Sequence, residues 1–227
     1  MRARHQLRGL ERKVEPGHTA LLVIDVQNDF CAEGGMMHRE GLDLTNVQAM
    51  AKRIPDVLRA ARDSGVFVVF LRNIYSTPAN WYLSDAWLEQ AERRRGGSYT
   101  EHEVCAPGSW NFEFYGEVQP LATEPIVTKH RFSAFYNTDL DTILRSNGIR
   151  TIVATGVATN VCVETSVRDA FVRDYHVVIL EDATATYSPE EAAASLATID
   201  RYFGEVATSE QVIKIWEQSQ GARPSRE

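Results

Sequence analysis

Thr151-Ile152-Val153-Ala154-Thr155-Gly156-Val157-Ala158-Thr159-Asn160-Val161-Cys162-Val163-Glu164-Thr165 passes from an apolar β-type run (151–154) through a turn into the first turn of a predicted helix. This strand–turn–helix joint is the unit from which layered α/β sheets are built. It also decides where chemistry is to be sought. A thiol at Cys162 meets the unpaired N–H groups and positive dipole end of a helix start, and both favour thiolate over thiol. The position therefore suits a nucleophile.

Working outward, the same alternation recurs along the chain. A strand over 19–26 is followed by a helix over 44–64, ended by Gly65, in which Val47, Met50, Ala51, Ile54, Val57, Leu58 and Ala61 recur at three- and four-residue steps. The continuous apolar run Val66-Phe67-Val68-Val69-Phe70-Leu71 is of the kind buried on both faces of a parallel sheet. Downstream, strands are predicted over 125–128, 150–155, 176–180 and 204–207, with helices over 139–146, 160–173, 189–202 and 209–218. Six strands separated by helices imply one α/β, doubly wound domain with a six-stranded, mainly parallel sheet. We place it at 16–218, between an N-terminal arm (1–15) and a polar tail (219–227). The polar insertion from Asn73 to Tyr115, with a predicted helix over 79–93, has the length of a lid, substrate loop or oligomer contact.

Composition narrows the partners. The chain has 227 residues, 44% of them hydrophobic, and a formal net charge of −7. That content supports a real core, and the acidic balance disfavours nucleic acid or an anionic membrane as partner. The Arg-rich opening and Arg93-Arg94-Arg95 read as solvated surface. No apolar stretch reaches the roughly 20 residues needed to span a bilayer, so a cytoplasmic setting is expected. Cys31, Cys105 and Cys162 form neither a disulfide framework nor a zinc ribbon.

Two further reactive groups occupy places comparable to Cys162. Asp25 closes the strand Ala20-Leu21-Leu22-Val23-Ile24, and Lys129 closes Pro125-Ile126-Val127-Thr128. In an open parallel sheet the carboxyl ends of the strands meet at one ligand-binding edge. An acid, a cation and a thiol converging there would make a covalent hydrolase. Each has a plainer reading: Asp25 as a cap, Lys129 as a solvated strand end, Cys162 as an inert core thiol. Cys31 and Cys105 lie in loops without such a setting and are read as non-catalytic.

Asp25 within Val23-Ile24-Asp25-Val26-Gln27-Asn28-Asp29-Phe30, then Lys129, then Gly156 to Thr165 with Cys162, together resemble the isochorismatase-like cysteine hydrolase superfamily over about residues 15–217. Gly108-Ser109-Trp110, Arg131 to Thr138, Leu140 to Arg150 and Val178 to Thr184 are most similar to ureidoacrylate amidohydrolases, with biuret and triuret hydrolases sharing much of the frame. The resemblance implies an amidohydrolase with Asp25, Lys129 and Cys162 catalytic, a cis peptide before Ala158, an oxyanion hole from the Ala158 and Cys162 amides, and a homo-oligomer. Nicotinamidases carry an Asp-x-His metal site where this chain has Arg72-Asn73-Ile74-Tyr75-Ser76-Thr77, so neither metal nor cofactor is expected. The substrate expected is a small ureido or carbamoyl compound, with an N-carbamoyl amino acid or nicotinamide-like amide as the alternative and a non-catalytic binding or assembly module as the remote one. Gln27, Asn73, Tyr136, Phe135, Trp110 and Tyr82 are the substrate-binding candidates, with Phe132 and Trp81 as further wall residues and Arg72 or His130 as partners for a substrate carboxylate.

Overall fold

The computed structural model describes residues 6–95 and 101–220. Six parallel strands form one sheet: β1 Thr19–Ile24, β2 Phe67–Asn73, β3 Ile126–Lys129, β4 Thr151–Val157, β5 His176–Ala185 and β6 Glu205–Ala207. Their spatial order is β3-β2-β1-β4-β5-β6. The chain builds outward from β1 through β2 to β3, then crosses back to lay β4 against the other side of β1. This reversal between β1 and β4 opens a crevice at their carboxyl ends, where ligands bind in such sheets.

The α-helices are α1 Leu10–Lys13, α2 Asn28–Cys31, α3 Met36–Arg39, α4 Thr45–Ser64, α5 Asp85–Arg95, α6 Leu140–Ser146, α7 Glu164–Phe171, α8 Pro189–Tyr202 and α9 Ser209–Gln220. They cover both sheet faces, and the period-2 geometry of a strand divides the core accordingly. Leu21 and Val23 of β1 pack with α4 residues such as Ile54 and Leu58 and with Trp216 of α9. Ala20, Leu22 and Ile24 pack with Leu140 and Leu144 of α6, Val167 of α7 and Ile199 of α8. β1 is buried along its whole length, which is why it reads as an unbroken apolar run.

The boundaries depart from the sequence reading for identifiable reasons. β1 stops at Ile24 because Asp25 turns to φ 55°, outside the strand region. The helix expected over 79–93 begins at Asp85, where the Ser84 hydroxyl accepts from the Trp87 N–H as an N-terminal cap. β5 runs on to Ala185 past the exposed Glu181 and Asp182, after a register shift against β4 between Ala154 and Gly156. The helix expected over 160–173 splits into a π-turn, Thr159–Val163, and α7. Helices α2 and α3, four residues each, are too short to show a period. Part of the expected arm is docked: Val14 is buried and its carbonyl accepts from Trp216 Nε1 at 2.8 Å.

Gly156 fixes the spacing of β1 and β4 where the crevice opens. Its φ is 113°, and a Cβ there would lie 2.0 Å from the Ile24 carbonyl oxygen. No side chain fits without pushing the strands apart just before Asp25. Overpacking of this kind costs about 1–3 kcal/mol, and left-handed backbone adds to it. Gly156→Ala should therefore lower the melting temperature by roughly 5 °C or more, at about 2–4 °C per kcal/mol for a chain of this size. An unchanged melting curve would show that the two strands are not held at this spacing.

Candidate active site

Asp25, Lys129 and Cys162 meet at the carboxyl edge of the sheet. Asp25 follows the end of β1, Lys129 ends β3, and Cys162 lies in the π-turn after β4. Lys129 Nζ is 2.8 Å from Asp25 Oδ2, and both side chains are buried. Asn73, the last residue of β2, lies between them: Nδ2 donates to Asp25 Oδ2 at 2.8 Å, while Oδ1 accepts from Lys129 Nζ at 3.1 Å. The same Nδ2 is 4.0 Å from Cys162 Sγ. Lys129 Nζ also donates to the Arg131 carbonyl at 3.0 Å. Asp25 Oδ1 is buried without a hydrogen-bond partner among the described residues, which leaves one carboxylate oxygen open to a proton.

Gln27 is a strut of this group and does not line its cavity. Its Oε1 accepts from the Asn73 N–H at 2.7 Å, and its Nε2 donates to the Asn73 and Phe112 carbonyls at 3.2 and 2.9 Å. Where the backbone leaves the sheet at Asp25, this side-chain amide takes the place of a strand residue against Asn73. Asp29, also fully buried, accepts from the Met36 and Cys105 N–H groups at 2.9 and 2.6 Å, pinning the start of α3 and the far end of the insertion to the same edge.

Burial sets the electrostatics. It raises the Asp25 carboxyl above the ordinary carboxylate range, although Lys129, Cys162 and Asn73 all pull the other way. It also works against the Lys129 ammonium, but Asp25 and Cys162 outweigh it and raise the Lys129 pKa. Burial pushes the Cys162 thiol up to about 12, with Lys129 lowering it and Asp25 raising it. This reverses the expectation of a thiolate at a helix start. The sulfur lies within a π-turn that precedes α7, and loss of water outweighs the dipole. Burial thus favours the protonated thiol, beside the close contact of Lys129 Nζ with Asp25 Oδ2.

Cys162 lies at the wall of a cavity of about 950 Å³, lined also by Val157, Ala158, Tyr75, Trp87, Arg131, Phe132 and Tyr187. The peptide Val157–Ala158 is cis, as the resemblance implies. Part of the wall comes from α5, through Ala86, Trp87, Gln90 and Ala91. Cys31 and Cys105 are buried and do not line the cavity, and burial raises both thiols. Among the described residues no cluster of three or more His, Cys, Asp or Glu is placed to hold a metal ion.

The cavity wall differs from the one expected. Phe132 lines it, but Gln27, Asn73, Tyr136, Phe135, Trp110 and Tyr82 do not. Phe135 packs in the core near Tyr175, and Tyr82 stacks on His130 with ring centroids 3.5 Å apart. Tyr136 and Trp110 are 55% and 54% exposed, and Trp81 is 75% exposed. Of the carboxylate partners considered, Arg72 sits over the Phe112 ring and His130 bonds the Ile74 carbonyl. Tyr75, Arg131 and Tyr187 were not singled out because aromatic and basic residues in loops carry no periodic signal, and Trp87 stands in the first turn of the polar helix α5. Arg131 is two residues beyond Lys129, and that proximity was the signal available.

Comparison with known proteins agrees with the geometry. The isochorismatase domain family matches residues 19–211. The ureidoacrylate amidohydrolase RutB of Agrobacterium fabrum is 36% identical over 205 residues, covering 86% of this chain and 88% of that protein. A cysteine hydrolase from Pseudomonas syringae pv. phaseolicola superimposes with a TM-score of 0.77 at 31% identity, over 91% of this chain and 96% of its own. The N-carbamoylsarcosine amidase of Thermoplasma acidophilum superimposes with a TM-score of 0.65 at 26% identity, over 85% and 97%. A shared parallel sheet, and sequence similarity over nearly the whole domain, leave one assignment: the chain belongs to the isochorismatase family of hydrolases.

Proposed function

We propose that this chain is an amidohydrolase that cleaves the C–N bond of a small ureido or carbamoyl compound of the ureidoacrylate type, through a thioester on Cys162. The observation that carries this reading is the contact of a buried Asp25–Lys129 pair with a thiol that opens onto a cavity. The names of two similar proteins, a ureidoacrylate amidohydrolase and an N-carbamoylsarcosine amidase, specify carbamoyl-bearing substrates.

A ureido carbonyl is a weak electrophile because nitrogen lone pairs feed into it, so it needs both a strong nucleophile and support for the developing oxyanion. Moving the Cys162 proton to Asp25 exchanges one buried ion pair for another. Before transfer the ammonium of Lys129 faces a carboxylate; afterwards it faces a thiolate beside a neutral acid. Net charge in the pocket is unchanged, so the step avoids the cost of creating an isolated charge in a dry site. Sulfur attacks the carbonyl carbon while the oxygen is received by the Ala158 and Cys162 amides. Protonated Asp25 then gives its proton to the departing nitrogen, leaving a carbamoyl thioester. Water, activated by the same carboxylate, attacks that carbon and releases carbamate and the thiol.

Cys162→Ala should abolish turnover of ureidoacrylate while the melting temperature and circular dichroism stay close to wild type. Turnover near the wild-type rate would refute covalent catalysis. The pH dependence has a defined sign. Asp25 must be ionised to take the proton, and its pKa is raised, so kcat/KM should fall on acidification with a limb displaced above the ordinary Asp value of about 3.9. Lys129 is raised above 10.5, so it adds no descending limb at neutral or mildly alkaline pH. Asp25→Asn should lower kcat by roughly 10²–10⁴-fold and remove the acid limb. Persistence of the limb in that variant would assign it to another group.

A further inference from the structure

Building on Cys162 as the reacting group, we infer that Arg131 is a carboxylate-binding residue of the substrate cavity and that the compound cleaved is a ureido or carbamoyl acid, not a neutral urea. Arg131 and Cys162 line the same cavity, and among the described residues that line it Arg131 is the only Lys or Arg. Its guanidinium is held in place: Nη1 donates to the Tyr82 carbonyl at 2.9 Å and to the His130 carbonyl at 2.6 Å, and the group lies over the Trp87 ring, 5.0 Å from its centroid.

Those contacts satisfy Nη1 alone. Nε and Nη2 have no acceptor among the described residues, and no carboxylate there forms an ion pair with Arg131. A guanidinium fixed by backbone carbonyls and an aromatic face, with one edge of its donor fork unused, matches the planar, two-oxygen geometry of a carboxylate. Trp87 and Phe132 bordering the same space reduce screening by water and strengthen such a contact.

The other charges select for a single anion placed at one end. Lys129 is already neutralised by Asp25. Glu40 and Glu191 also border the cavity, with Glu191 accepting from Asn160 Nδ2 at 2.7 Å. Like charge on Glu191 repels a carboxylate, and among the described lining residues Arg131 is the cation that attracts one. The main chain of the same residue contacts the reacting group, because the Arg131 carbonyl accepts from Lys129 Nζ at 3.0 Å. The segment that holds the substrate's acid end thus also holds the ammonium that supports the thiolate.

The test separates recognition from chemistry. Calorimetric binding of 3-ureidopropionate and of its carboxamide is measured on the Cys162→Ala protein with Arg131 intact and with Arg131→Gln or Arg131→Lys. In parallel, kcat/KM for ureidoacrylate and biuret is measured with Cys162 present. Loss of a charge-assisted contact should weaken binding of the acid by about 10- to 150-fold in Arg131→Gln. The carboxamide should change less than about threefold, and Arg131→Lys, which keeps the charge without the fork, should recover part of the loss. Wild type should turn over ureidoacrylate in preference to biuret. Equal weakening of acid and carboxamide, or a wild-type preference for biuret, would overturn the assignment of Arg131. Arg131-dependent binding of the acid without turnover of either substrate would uphold the binding site and contradict the proposed reaction.

Discussion

The pairing of Asp25 with Lys129 is the constraint around which the rest of this structure is arranged. Two opposite charges, both removed from water and 2.8 Å apart, hold a place that apolar residues would fill at lower cost. Burial of either charge alone would cost several kcal/mol, so the ends of β1 and β3 must be brought together and kept together. Asn73, at the end of the strand between them, bonds to both. Gln27 then holds Asn73 by its backbone on both sides. The pair is assembled by the parallel order β3-β2-β1, and the Cys162 thiol is placed beside it after β4, on the other side of β1.

The same burial explains why a high thiol pKa is compatible with a nucleophilic role. A thiol pushed up to about 12 favours its protonated, less nucleophilic form. Its ionisation is coupled to protonation of a neighbour whose own affinity for protons has also been raised by burial. Raising the proton affinity of both groups opposes a charge on either one alone. The titration then belongs to the group as a whole, so an observed pKa describes the set of Asp25, Lys129 and Cys162 and not one member.

Much of the fold was legible because buried parallel strands and amphipathic helices leave strong periods. The six strands, α4, α8 and α9 follow directly from them, and α8 spans Pro189–Tyr202 as expected. The three residues that meet at the sheet edge were legible for a related reason: Asp, Lys and Cys stand out at the ends of runs made of Val, Ile and Leu. What the sequence hid was set by local conformation and distant packing. The left-handed turn at Asp25, the π-turn around Cys162 and the register shift in β5 have no compositional signal. The cavity wall was hidden too, because Trp87, Phe132 and Tyr187 come from three separate segments and meet only in the folded molecule. Gln27 shows the limit most plainly, since a polar residue next to Asp25 suggests contact with a ligand, whereas its amide is consumed by backbone groups.

The account turns on a covalent bond to one sulfur among three. Rapid acid quenching during turnover of ureidoacrylate, followed by intact-mass and peptide mass spectrometry, reads that bond directly. A single carbamoyl group on Cys162, with Cys31 and Cys105 unmodified, is the predicted result. Turnover at an undiminished rate with no adduct under conditions that trap it, or an adduct on either of the other cysteines, would contradict it.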